Sequence, residues 1–171
     1  MAAPYSDDME TPAPKLLTAS QRRFRRNRVK RIARQLGFAG IVEYRHVYSP
    51  AGGAQYGRGR AESDDLLVVY AEAFDRDANP DDFSLMAILA HECGHQILAR
   101  HPRIAKRVEG RISEASEEIL ASLLGSTLCD DEVDRETLMF KAVAEWTDHG
   151  ESPDTAFKRL EELRNLFEAL L

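Results

Sequence analysis

Apolar positions along this chain change their period several times, and each change marks an element. From Ser20 to Leu36 the residues Phe24, Val29, Ile32, Ala33 and Leu36 recur at helical spacing among arginines, and Gly37 follows as a stop, which predicts an amphipathic helix. Ile41 to Tyr48 is rich in β-branched and aromatic residues, and Ser49-Pro50-Ala51-Gly52-Gly53 has turn chemistry, so a strand and a turn are expected. A glycine-containing strand near Gln55 to Arg60 and a more apolar one from Leu66 to Tyr70 complete a small three-stranded sheet, expected to be antiparallel. The strand near Gln55, as an edge, can bind an extended peptide by backbone pairing.

The next segment returns to a helical period. Asn79 suits an N-cap, Pro80 the first helical position, and Asp81 and Asp82 the first turn, where negative charge complements the helix dipole. The helix is expected to run through Phe83, Met86, Ile88, Leu89, His91, His95 and Leu98 until Pro102 stops it, apolar enough to lie in the core. After a short connection ending at Gly110, Ser113 is the expected cap of a further helix that buries Ile119, Leu120, Leu123, Leu124 and Leu128. Two more follow, one over 132–147 and one starting at Ser152-Pro153 with Phe157, Leu160, Leu163, Leu166 and Phe167 on its apolar side. The fold class read from this pattern is α+β: a small sheet packed on a central helix, with a helical C-terminal part.

At 171 residues the chain has the size of one ordinary domain, able to bury a core without disulfides. Residues 1–18 read as a disordered tail, 19–171 as a single domain, and 130–171 as its helical extension. The amino-terminal MAAPYSDDMETPAPK carries acids where a signal peptide has a basic segment and an apolar stretch, and no apolar run approaches the roughly eighteen residues of a spanning helix. Two cysteines, Cys93 and Cys129, do not make a disulfide framework. A cytoplasmic protein without a membrane role is therefore expected.

The chemistry lies in His91-Glu92-Cys93-Gly94-His95, an HExxH pattern. Side chains at i and i+4 share a helix face, so the imidazoles of His91 and His95 can reach one zinc ion. Glu92 projects about 100° round the helix, close enough to act on a water without being a ligand, and is the natural general base. Two histidines and a glutamate on an apolar helix without a metal would be unpaired polar groups in a core. A catalytic zinc has three protein ligands and an open position, so a third ligand is required. Acidic candidates are Glu114, Glu117 and Glu118; with Ile119, Leu123 and Leu124 pointing inward, Glu118 adjoins the buried face and is the first choice. Cys93 points to another side of the helix and reads as a core filler, and Gly94 predicts a close approach there, with the helix that bears Glu118 as the candidate neighbour. For an oxyanion donor the chain offers His149, His46, Tyr56 and Arg58, without a choice among them.

With these residues the chain resembles the ImmA/IrrE family of zinc metallopeptidases, in which an HELGH-like helix precedes a helix bearing ExxANxFAxxLL. Glu118-Ile119-Leu120-Ala121-Ser122-Leu123-Leu124-Gly125-Ser126-Thr127-Leu128 looks like a diverged copy, with Ser122 at the asparagine position and Cys93 at the leucine of HELGH. The likeness covers roughly residues 20 to 130. It implies a compact zincin-like (gluzincin) fold and intracellular proteolysis of a protein or peptide substrate, often a repressor, sometimes under control of a regulatory protein partner. The alternative from a different class is a zinc-containing regulatory or toxin-antitoxin-type binding module without proteolytic activity, for which an intact Glu92 would have no use.

Charge adds one further feature. The net charge is -6, yet Arg22, Arg23, Arg25, Arg26, Arg28, Lys30, Arg31 and Arg34 crowd eight of the 23 basic residues into one helix. Such a helix is either a footprint for nucleic acid or a solvated face that pairs with acidic surface, and the lack of interleaved aromatics beyond Phe24 favours the second.

Overall fold

The computed structural model describes residues 12–108, 117–148 and 150–171. Its first helix, α1 (Ala19–Gln35), opens with a capping box between Thr18 and Gln21 and buries Val29, Ile32 and Ala33. Residues 12–18 have no regular secondary structure, though the Lys15 carbonyl accepts a hydrogen bond from His46 Nε2 at 2.8 Å. Expectations for 1–11, Gly110, Ser113, Glu114 and His149 fall outside the described residues.

The sheet contains β1 (Ile41–Arg45), β2 (Ala54–Gly57) and β3 (Leu66–Tyr70) in the order β1-β3-β2. It is mixed, which corrects the expectation of an antiparallel sheet: β1 pairs with β3 in parallel, Ile41 opposite Leu66, while β2 pairs with β3 antiparallel, Ala54 opposite Val69. The reason is legible in the composition of the strands. Leu67, Val68, Val69 and Tyr70 are all buried, the continuous apolar run of a strand covered on both faces, so β3 takes the centre and its less apolar neighbours take the edges.

The central helix also differs from its expected form. A short helix, α2 (Ala71–Asp77), follows β3 directly and buries Ala71, Ala73 and Phe74, and α3 (Leu85–Arg100) starts at the cap Ser84 rather than at Asn79. Asn79 Oδ1 instead accepts from the Asp81 amide at 3.1 Å, and Asp82 Oδ1 accepts from the Phe83 amide at 2.6 Å while pairing with Arg76. These side chains close a polar turn of their own, which competes with helix for the same backbone amides. The segment after α3 is a helix, α4 (Pro102–Val108), where a plain connection was expected. The remaining helices are α5 (Glu117–Leu128), α6 (Glu132–Thr147), capped by Asp131, and α7 (Pro153–Leu170), capped by Ser152. Both C-terminal helices begin where their caps predict.

Two apolar clusters share the α3 and α5 pair as their seam. One joins α1, the sheet and α2 to Leu85, Ile88, Leu89 and Cys93 of α3; the other joins Ile119, Leu123 and Leu124 of α5 to Trp146, Leu160 and Phe167. At the seam the helices nearly touch. A Cβ at Gly94 would collide with the Ala121 carbonyl, and one at Gly125 would stand 2.5 Å from the Ala90 carbonyl oxygen. Paired glycines therefore let α5 bring its first turn against the second half of α3. No helix among the described residues is long and apolar enough to cross a membrane.

Candidate metal centre

His91 and His95 leave α3 on the face toward α5, and their Nε2 atoms lie 3.2 Å apart. Glu118, in the first turn of α5, meets both, with Oε2 at 3.0 Å from His91 Nε2 and Oε1 at 3.2 Å from His95 Nε2. Taking one donor atom from each residue, the three lie within 4.8 Å of one another, a cluster compact enough for a single ion. His91, His95 and Glu118 can hold a metal ion.

The protonation states suit a cation as well. Burial holds the His91 imidazole below its ordinary pKa, hence neutral, while the His91 hydrogen bond holds the Glu118 carboxyl down to about 2, hence ionised. His95 Nδ1 lies 2.9 Å from Glu117 Oε1, and His91 Nδ1 lies 3.0 Å from Ser122 Oγ. The contact with Glu117 engages Nδ1 of His95 and leaves Nε2 facing His91 and Glu118. Glu117 is thus not among the converging donors; it orients one of them.

Glu92 lines the same cleft and also reaches the sheet. Its Oε2 accepts the Tyr56 amide of β2 at 2.8 Å, and burial pushes its carboxyl up to about 7. The β2 strand is itself anchored through a buried carboxylate. Asp65, fully buried, accepts from Tyr56 Oη at 3.0 Å, Gly59 N at 2.7 Å and Gln96 Nε2 at 2.9 Å, and pairs with Arg100, whose guanidinium holds it well below the usual carboxylate range. Gln96 and Arg100 belong to α3, so the helix that carries the histidines also fixes the strand that carries the Glu92 partner.

A cleft of about 500 Å³ opens over these groups, lined by Gln55 and Tyr56 of β2, His91, Glu92 and His95 of α3, Glu117 and Glu118 of α5, and Lys141 of α6. Sequence reasoning passed over Lys141, whose Nζ stands 3.3 Å from His91 Nε2 and 3.7 Å from Glu118 Oε2. Nothing in its local sequence marks it; only the packing of α6 brings it here. The oxyanion candidates fare differently. Tyr56 lines the cleft, but its hydroxyl is committed to Asp65. His46 is tied to Tyr44 Oη and the Lys15 carbonyl, and exposed Arg58 does not line the cleft. Cys93 is 2% exposed inside the core, and burial pushes its thiol up to about 12, which removes it as a thiolate ligand.

Elsewhere, the arginine-rich α1 divides in two. Arg25 donates to Tyr44 Oη and stacks on Phe74, and Arg28 pairs with Asp77, whereas Arg22, Arg23, Arg26, Lys30, Arg31 and Arg34 are exposed. Comparison with protein-family models, with curated proteins and with solved structures finds no match, which leaves geometry and chemistry to bear on function.

Proposed function

We propose that this chain is a zinc-dependent metallopeptidase of the ImmA/IrrE kind, with a gluzincin ligand set, that hydrolyses peptide bonds in a protein inside the cell. One observation carries the reading: two imidazoles and a carboxylate from the next helix converge closely enough to hold one metal ion while a second carboxylate, Glu92, lines the same cleft without joining the set. A structural zinc site is normally closed by four protein ligands and has no use for such a base; three ligands leave a position for reaction. The buried free thiols of Cys93 and Cys129 fit a reducing compartment.

A zinc ion held by His91, His95 and Glu118 supplies a Lewis acid that polarises the peptide carbonyl and acidifies a water. The protein does the rest. Glu92, with one oxygen steadied by the Tyr56 amide, takes the proton of the attacking water and returns it to the amide nitrogen as the C–N bond breaks. In the metal-free chain burial raises its carboxyl to about 7, a proton affinity well above that of an exposed carboxylate. The outer edge of β2 borders the cleft at Gln55 and Tyr56 and offers backbone to an extended peptide.

The test is Glu92→Gln. The variant keeps stoichiometric zinc by elemental analysis and loses hydrolysis by at least about a hundredfold, measured as new protein termini in a proteome exposed to wild type or variant. Full activity in Glu92→Gln, or a zinc-loaded wild type that creates no new termini, refutes the reading.

A further inference from the structure

Resting on the peptidase reading, we propose that Lys141 is a catalytic residue: its ammonium binds the negative oxygen that forms on the scissile carbonyl when water adds. The α6 helix meets α3 in a fixed register. Ser84 Oγ of the α3 cap donates to Asp134 Oδ1 at 2.6 Å, and seven residues further along each helix Lys141 Nζ meets His91 Nε2 at 3.3 Å. Two turns on one helix match two turns on the other, so the lysine is delivered over His91 by the register of the helix pair rather than by a wandering side chain. On the same helix Leu138 and Ala142 are fully buried on either side of it in sequence, and the Lys141 side chain is 28% exposed, its stem packed and its head at the cleft.

A cation in this place needs an anion. In the arrangement described here the ammonium leans on His91 Nε2 and on Glu118 Oε2 at 3.7 Å, the same lone pairs that a metal uses. Were those donors to hold a divalent ion, the ammonium would lose the His91 lone pair and would be repelled by the ion, unless a negatively charged oxygen stood between them. Hydrolysis creates one. As water oxygen bonds to the carbonyl carbon, the π electron pair moves onto the carbonyl oxygen, and the water proton goes to Glu92. The ammonium then donates a hydrogen bond to that oxygen. On collapse the C=O bond reforms, the C–N bond breaks, and the amine leaves with the proton from Glu92. The groups named at the outset as oxyanion donors do not compete for this role within the described residues, since Tyr56 Oη is spent on Asp65 and His46 on Tyr44 and Lys15.

The experiment compares Lys141→Met, which keeps the stem and loses the charge, with Lys141→Arg. Zinc content, zinc affinity against a chelator, cleavage of the best-cut member of a proteome-derived peptide library, and binding of inorganic phosphate to the zinc-loaded protein are measured on each. Lys141→Met is expected to hold stoichiometric zinc, to lose about 10²–10³ in kcat with KM within about threefold, and to bind phosphate at least about tenfold more weakly. Lys141→Arg is expected to recover part of both losses. Unchanged kcat and phosphate affinity in Lys141→Met overturn the inference. So does tighter zinc binding with undiminished cleavage, which makes the lysine a mere competitor of the metal. Zinc-loaded wild type that cleaves nothing overturns the peptidase reading and this inference together, whereas a cleaving wild type matched by Lys141→Met overturns this inference alone.

Discussion

Glu92 carries its function in its surroundings as much as in its identity. Buried between α3 and β2, its carboxyl rises from 4.5 to about 7, so between those values the folded metal-free chain keeps a proton that the unfolded chain has lost. The sign follows: the stability tied to this proton is complete below about pH 4.5 and is lost as the pH rises through 7. Glu92→Gln is neutral throughout and can still accept the Tyr56 amide. In chelator-treated protein the variant should therefore match wild type near pH 5 and exceed it near pH 8 by on the order of 2–3 kcal/mol in urea unfolding. Equal gains at both pH values would contradict burial as the cause. If the proposed reading holds, the same substitution links two measurable properties, loss of hydrolysis and gain of stability, the trade expected where a reactive group is kept buried.

Between elements, the decisive contact is the glycine seam of α3 and α5. The HExxH helix puts its two histidines on one face wherever it sits, but Glu118 reaches them only because Gly94 and Gly125 allow the backbones to approach. Alanine is the better helix former by about 1 kcal/mol, so on propensity alone Gly94→Ala would stabilise. Collision with the Ala121 carbonyl reverses the sign, and a net loss of about 1–3 kcal/mol is expected, with weaker zinc binding as α5 is pushed off. Urea titration and chelator competition on the variant measure both effects; a more stable Gly94→Ala with undiminished zinc affinity would show that the seam is not tight. The Asp65 network has the same logic on the other flank, since Gln96 and Arg100 of α3 hold the loop and strand that present Tyr56 to Glu92.

Across the whole molecule, a ligand set drawn from two helices couples metal to fold. Zinc bound only by the native arrangement stabilises it by mass action, about 2.7 kcal/mol at a hundred times Kd. For a chain of this size that corresponds to a rise in Tm of roughly 5–10 °C. Addition of zinc to the metal-free protein should produce such a rise, Glu118→Ala should remove most of it, and Lys141→Met should leave it in place. A zinc-independent Tm in differential scanning calorimetry would mean that the three donors do not act as one site. The basic face of α1 stands apart from this coupling. Two of its arginines are absorbed by Tyr44, Phe74 and Asp77, and the rest look into solvent.

Chemistry of local origin was legible in the chain. Histidines four apart on an apolar segment define a shared face, Ser152-Pro153 announces its helix, and the position of Glu118 beside an inward stripe singles it out, because each of these depends only on local sequence. What depended on distance in sequence was not. The parallel pairing of β1 with β3, the competition that moved the start of α3 from Asn79 to Ser84, the orienting role of Glu117 and the arrival of Lys141 at His91 all arise from contacts between segments far apart or from rival partners for one amide. A one-dimensional pattern encodes which face a side chain takes, whereas which neighbour waits on that face is decided when the apolar surfaces are buried together.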